Sequence, residues 1–190
     1  MLKVVAVCSG NTCRSPLFAA ALRLLSDDVS VRSACAPYWK EEDDSQPVPG
    51  MSDGFEDAAN QLMRFEIVDQ ARRAVLPGLV KDLSKHRKKE FSELDPQPSG
   101  HEVFVAAAPK HVPNLRKWAE SVGRPNARVE VVGTSDFAWK VWTLLEIRRK
   151  EEKREPNAEE LAELRDAYHA LAIRTILRAC EIFPEIHRRS

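Results

Sequence analysis

A chain of 190 residues, 43% of them hydrophobic, can bury one good core, and its length favours a single domain, residues 1–190, over two. Its 29 acidic and 29 basic residues cancel, which excludes a global basic footprint for nucleic acid. No apolar run approaches the ~20 residues of a membrane span, the N-terminus lacks the layout of a signal peptide, and four cysteines (Cys8, Cys13, Cys35, Cys180) are too few and too irregular for a disulfide-stapled secreted domain or paired zinc knuckles.

The expectation is a cytoplasmic protein with no nucleic acid, membrane or metal partner, in which chemistry or packing explains the cysteines. Leu2 to Val7 is apolar and β-branched, as a strand buried on both faces of a parallel sheet should be. Ser15 to Leu25 is rich in Ala and Leu and reads as a helix, with Pro16 tolerated in its first turn. After the turn Ser26-Asp27-Asp28, a second short strand is predicted from Val29 and Val31 through Ser33-Ala34.

Lys40 to Gly50, acidic and proline-bearing, reads as an exposed loop. Ser52 or Asp53, with Glu56 three residues after Asp53, resembles a helix N-cap, followed by an apolar stripe from Phe55 to Phe65 at helical spacing. Ile67 to Leu94 is expected to be helical in part and basic outside. Its run Lys81 to Lys89 (KDLSKHRKK) is ordinarily a solvated helix face. Asp95 to Gly100 is a loop. Glu102 to Ala108 (EVFVAAA) is the third strand, Pro109 to Val122 a helix closed by Gly123, and Arg128 to Thr134 the fourth strand. Two helices end the chain, Phe137 to Lys153 and Asn157 to Ile182. The second opens on a capping box, Asn157 with Glu160, and buries a stripe that includes Leu161, Leu164, Tyr168, Leu171, Ile176, Cys180 and Phe183.

Strands alternating with helices imply an α/β fold, a three-layer open parallel four-stranded sheet with helices on both faces. In such sheets ligands bind at the carboxyl ends of strands near a topological switch point, which directs attention to the first strand-to-helix loop, "CSGNTCRS".

Five residues separate Cys8 from Arg14, and Ser15 follows. A loop of that length at a helix N-terminus can turn successive backbone N–H groups inward as an anion cradle. Gly10 permits close backbone approach, Asn11 tolerates the left-handed conformation such a curl needs, and Arg14 can grip two phosphate oxygens. Donors that welcome phosphate also favour thiolate over thiol at Cys8, and Ser15 is placed to donate to it. A nucleophile and an electrophile cradle in one loop suit covalent phosphoryl transfer: Cys8 attacks phosphorus, the amides and Arg14 hold the equatorial oxygens, and a phosphocysteine forms and is hydrolysed.

"VCSGNTCRSP" resembles the phosphate-binding loop of the low-molecular-weight protein tyrosine phosphatases, a family that also includes protein-arginine phosphatases and one class of arsenate reductase. "VSVRSACA" resembles its second strand, with Cys35 where glycine is usual, and "VFVAAAPKHVPNLRKW" resembles its third strand and helix. Segments near 40–99 and 143–156 look divergent or expanded. The resemblance implies a cofactor-free hydrolysis of a phosphorylated protein or peptide to give inorganic phosphate. Cys8, Arg14 and the acid Asp136 would be catalytic, with Ser9, Gly10, Asn11, Thr12, Cys13 and Ser15 around the substrate.

The family's acid precedes a proline, and here Phe137 follows Asp136. A helix N-cap is the other role open to that aspartate. Asp95-Pro96 carries the dipeptide but ranks below it, since it precedes the third strand. Phe137, Trp139 and, opposite them, Trp39 are candidates for an apolar pocket wall, with core packing the alternative for each. Cys13 matches the family's second loop cysteine, so a Cys8–Cys13 disulfide would be a reversible off-switch. The arsenate-reducing branch needs shuttle cysteines at close spacing, which Cys35 and Cys180 do not supply. Thr12 is typical of the arginine-phosphate enzymes, while the aromatics after Asp136 favour phosphotyrosine. Phosphotyrosine is the first expectation, phosphoarginine the second, and a non-catalytic phosphate-binding or redox-sensing protein the reading from another class.

Overall fold

A computed structural model describes residues 1–11, 14–39, 77–78, 81, 83, 86–133 and 137–188. Four strands, β1 (Leu2–Cys8), β2 (Val29–Cys35), β3 (Val103–Ala106) and β4 (Val129–Val131), form one sheet in the order β2-β1-β3-β4, and every pairing is parallel. Among the described residues the helices with both ends given are α1 (Arg14–Leu25), α2 (Val112–Ser121), α3 (Phe137–Glu152) and α4 (Ala158–Arg188), with 3₁₀ turns at Phe91–Glu93 and Pro109–His111. Among the described residues no helix is long and apolar enough to cross a membrane.

The sheet is apolar on both faces because helices cover both, which is why β1 shows no polar alternation. Val4 and Ala6 of β1, with Val29, Val31, Val103 and Val105, pack against α1 and against Ala172, Ile176, Ala179, Ile182 and Ile186 of α4. Val5 and Val7, with Ala34, Phe104 and Ala106, pack the other way, against Leu115, Trp118 and Ala119 of α2 and against Phe91 and Leu94. Phe91 and Phe104 both set their rings 5.1 Å from Trp118. Helix α3 rests on α4 instead, through Val141 and Leu145 against Leu164, Ala167, Tyr168 and Leu171.

Helix α1 lies between the sheet and α4, and every residue from Arg14 to Leu22 is buried. Ala19, Ala20 and Ala21 allow the close approach, while Leu17, Phe18 and Leu22 fill the gaps on either side. Each of those three contributes about 1.5–3 kcal/mol by leaving water.

Several boundaries differ from the sequence reading. Helix α4 runs past Ile182 to Arg188 with Pro184 inside it, because Ile182 and Ile186 are both buried one turn apart while Pro184 faces outward. Leu161, placed by periodicity on the buried stripe, is 47% exposed, since the core contacts of α4 begin at Leu164. The capping box stands as read: Glu160 N–H donates to Asn157 Oδ1 at 2.9 Å, and Asn157 N–H to Glu160 Oε2 at 2.9 Å.

β1 and β3 are neighbours whose chains depart to opposite sides, β1 towards β2 and β3 towards β4. That makes their shared carboxyl edge the switch point of the sheet.

Candidate functional site

Cys8 ends β1 at this switch point. Its carbonyl accepts Ala36 N–H at 2.8 Å, and the carbonyl before it, on Val7, accepts Ala107 N–H at 2.9 Å, so both neighbouring strands pin the end of β1. Cys8 is 3% exposed, on the same face of the sheet as Val4 and Ala6 and therefore under the first turn of α1. There Cys8 Sγ lies 3.0 Å from Ser15 Oγ.

Asn11 organises the turn between them. It is fully buried at φ +48°, in the left-handed region that asparagine adopts more readily than other non-glycine residues. Its Nδ2 donates to Ser15 Oγ at 3.0 Å, its Oδ1 accepts Lys89 N–H at 2.9 Å, and its carbonyl accepts from His86 Nε2 at 2.7 Å. Because Ser15 Oγ accepts the amide of Asn11, its own proton is available for the sulfur of Cys8. Arg14 opens α1 while only 8% exposed, and its Nη2 donates to Ser9 Oγ at 3.5 Å. Ser9 Oγ also lies 3.0 Å from His111 Nε2.

The structure thus brings Cys8, Ser9, Asn11, Arg14 and Ser15 into one cluster at the N-terminus of a twelve-residue helix. A thiol beneath a hydroxyl donor at the positive end of a helix dipole, with a guanidinium on the neighbouring Ser9, is a setting suited to an anion and to sulfur as a nucleophile. Thr12, Cys13 and Asp136 lie outside the described residues, as do the side chains of Phe137 and Trp139. Trp39 is half-buried, with its ring 5.1 Å from that of His111 at 67° and Lys110 Nζ 5.2 Å from its centroid. Tyr38, by contrast, is turned away towards α2, its hydroxyl 3.3 Å from Ser121 Oγ and Lys117 Nζ 5.3 Å from its ring.

Three residues at the cluster escape sequence reasoning. His86 and Lys89 stand in the run that reads as a solvated helix face, yet residues 86–90 are not helical, and they hold Asn11 from 75 and 78 positions away. His111 follows an unremarkable Pro-Lys pair. No local pattern marks any of the three, because their partners are distant in the chain.

Cys35 is paired in register with Cys8 on β2, and the alternation of Val29 and Val31 puts it on the same face. Its Sγ donates to Glu90 Oε1 at 3.6 Å. Burial first, and then the negative charge of Glu90, push this thiol up to about 12. Cys8, Cys35 and Cys180 are all free of disulfides.

No family model and no curated protein matches the chain. Solved structures do. It is similar to SP-PTP, a low molecular weight protein tyrosine phosphatase from Streptococcus pyogenes, at 14% identity over 93% of this chain and 89% of that one, with a TM-score of 0.44. It is also similar to the low molecular weight phosphotyrosine phosphatase VcLMWPTP-2 from Vibrio cholerae, at 17% identity over 97% and 98% with a TM-score of 0.43. A third is DARP, the Drosophila arginine phosphatase, at 18% identity over 100% and 99% with a TM-score of 0.45.

Proposed function

We propose that this chain is a cysteine-dependent protein phosphatase of the low-molecular-weight type, acting on phosphotyrosine through a phosphocysteine. The observation that carries the reading is the 3.0 Å approach of Ser15 Oγ to Cys8 Sγ at the start of α1, with Ser15 already engaged by Asn11 and Arg14 beside it. Phosphate would sit over the loop amides. The sulfur of Cys8 attacks phosphorus opposite the phenolic oxygen, an S–P bond forms as the P–O bond breaks, and Arg14 and the amides hold the three equatorial oxygens. Asp136 gives its proton to the departing oxygen. It then takes one from the water that attacks the phosphocysteine, and S–P cleavage releases inorganic phosphate and restores the thiolate.

Thr12 favours a second reading, hydrolysis of phosphoarginine by the same loop and the same intermediate. Turnover of phosphotyrosine and phosphoarginine peptides, measured side by side, decides between them. Cys8→Ser tests the mechanism shared by both. It should abolish hydrolysis of an aryl phosphate while phosphate or vanadate still binds, and retained turnover would exclude Cys8 as nucleophile. Asp136→Asn should slow formation of the phosphocysteine far more for esters with poor leaving groups than for good ones.

A further inference from the structure

We infer that His111 is a positioning residue for the oxyanion site: it fixes the hydroxyl of Ser9 so that Ser9 donates to a bound phosphate oxygen. This rests on the reading that the loop from Cys8 to Ser15 takes phosphate, and it adds a residue that no loop motif contains.

His111 is fully buried, at the end of the 3₁₀ turn that follows β3. Its Nδ1 accepts the backbone N–H of Ala108 at 3.2 Å. An accepting Nδ1 carries no proton, so the neutral ring holds its proton on Nε2, and Nε2 donates to Ser9 Oγ at 3.0 Å. Ser9 Oγ receives a second hydrogen bond from Arg14 Nη2 at 3.5 Å. A serine oxygen has two acceptor positions and one proton. Here both acceptor positions face donors, and among the described residues no acceptor takes the proton.

The consequence is directional. A serine hydroxyl ordinarily rotates to suit its neighbours, but between two donors that cannot accept, Ser9 must point its own proton away from both. An anion held by Arg14 would supply the acceptor that this proton is left to find. His111 thereby converts a rotating hydroxyl into a third kind of donor beside the amides and the guanidinium. It does so across 102 residues of sequence, from the loop after β3 to the loop after β1 on the two sides of the switch point. The ring of Trp39, edge-on to the imidazole, limits its rotation.

The test is a double-mutant cycle read by affinity for inorganic phosphate, measured calorimetrically on the full chain, with kcat and KM for an aryl phosphate beside it. Ser9→Ala should weaken phosphate about tenfold, the scale of one hydrogen bond to a charged oxygen. His111→Phe should do the same, and on the Ser9→Ala background it should add no more than about twofold. His111→Gln, whose amide can replace the Nε2 donor, should stay within about threefold of the parent. KM should rise in the weakened variants more than kcat falls, because the bond is made in the ground state as well.

An equal loss from His111→Phe with and without Ser9 overturns the proposal, since that is what a purely structural histidine gives. So does a folded His111→Gln as weak as His111→Phe. Should His111→Phe fail to fold, Ser9→Thr against Ser9→Ala decides: the hydroxyl must retain affinity and its loss must remove it. Phosphate affinity is read without turnover. A chain that binds phosphate in this pattern yet hydrolyses no ester overturns the phosphatase reading and supports the role of His111. Hydrolysis through Cys8 with a phosphate affinity indifferent to Ser9 does the reverse.

Discussion

Replacing Asn11 separates the two jobs that its side chain performs. Asn11→Ala keeps the left-handed backbone at φ +48° with a residue that resists it, at about 1–2 kcal/mol. It also removes the bonds to Ser15 Oγ at 3.0 Å and from Lys89 N–H at 2.9 Å, each worth about 0.5–1.5 kcal/mol. The loss of stability should therefore be about 2–5 kcal/mol. Asn11→Gly relieves the backbone but not the bonds, and should be no less stable than Asn11→Ala despite glycine's entropy. Asn11→Asp is the informative variant. It can still accept Lys89 N–H, so the loop stays tied, but where Asn11 donates to Ser15 Oγ a carboxylate can only accept. The Ser15 proton then turns from Cys8 Sγ to the introduced carboxylate, and the sulfur loses its donor. Urea unfolding followed by tryptophan fluorescence, with kcat/KM for an aryl phosphate, tests the set. Asn11→Asp should be the most stable of the three and still lose at least tenfold in kcat/KM. Parental activity in a folded Asn11→Asp would refute the argument that Asn11 directs the Ser15 proton.

Three further outcomes follow from other parts of the molecule. The Cys35 thiol is pushed up to about 12 by burial and Glu90, so the folded chain keeps a proton that the unfolded chain releases above about 9. Stability should fall as pH rises from about 9 towards 12, by up to about 1.4 kcal/mol per unit, and Cys35→Ala should flatten that part of a chemical-denaturation series. At the other extreme, the hydrogen bond from Arg154, with that from the Asn157 backbone, holds the Glu160 carboxyl at about 2, below its ordinary 4.5. Its contribution to the cap of α4 is present above 4.5 and is lost as pH falls towards 2, so the melting temperature of Glu160→Gln should change less than the parent's across that window. Leu22→Ala, at a fully buried site between sheet and α4, should cost about 2–5 kcal/mol in the same urea assay.

The clustering of Cys8, Ser9, Asn11, Arg14 and Ser15 in the candidate site was legible because it is local: a buried strand, a short loop and a helix start lie within fourteen residues from Leu2, and each has its own signature. The sheet was legible for a similar reason, since four apolar runs separated by amphipathic stretches leave few arrangements. What escaped was long-range. His86 and Lys89 carry the composition of a solvent-facing run, and nothing in KDLSKHRKK marks that its end turns inward to meet a buried asparagine. His111 gains its meaning from Ser9 and Ala108 together, a relation only the fold creates. Helix α4 outran its predicted end: it continues through Pro184 to Arg188 with Ile182 and Ile186 buried on either side of the proline. Leu161 failed in the opposite sense: its spacing fits the stripe, yet it is 47% exposed and the packed positions of α4 begin at Leu164.

The position of α1 sets how the site moves. Secondary structure that opens most reluctantly is the part buried on all sides, and α1 meets the sheet below and α4 above along nine consecutive residues. Its amides beyond the first turn, which are hydrogen-bonded within the helix, should be among the slowest of the described residues to exchange with deuterated solvent. The turn that begins at Arg14 is thus anchored to the slowest-opening element of the protein. The alignment of Ser15 over Cys8 is thus as permanent as the fold itself.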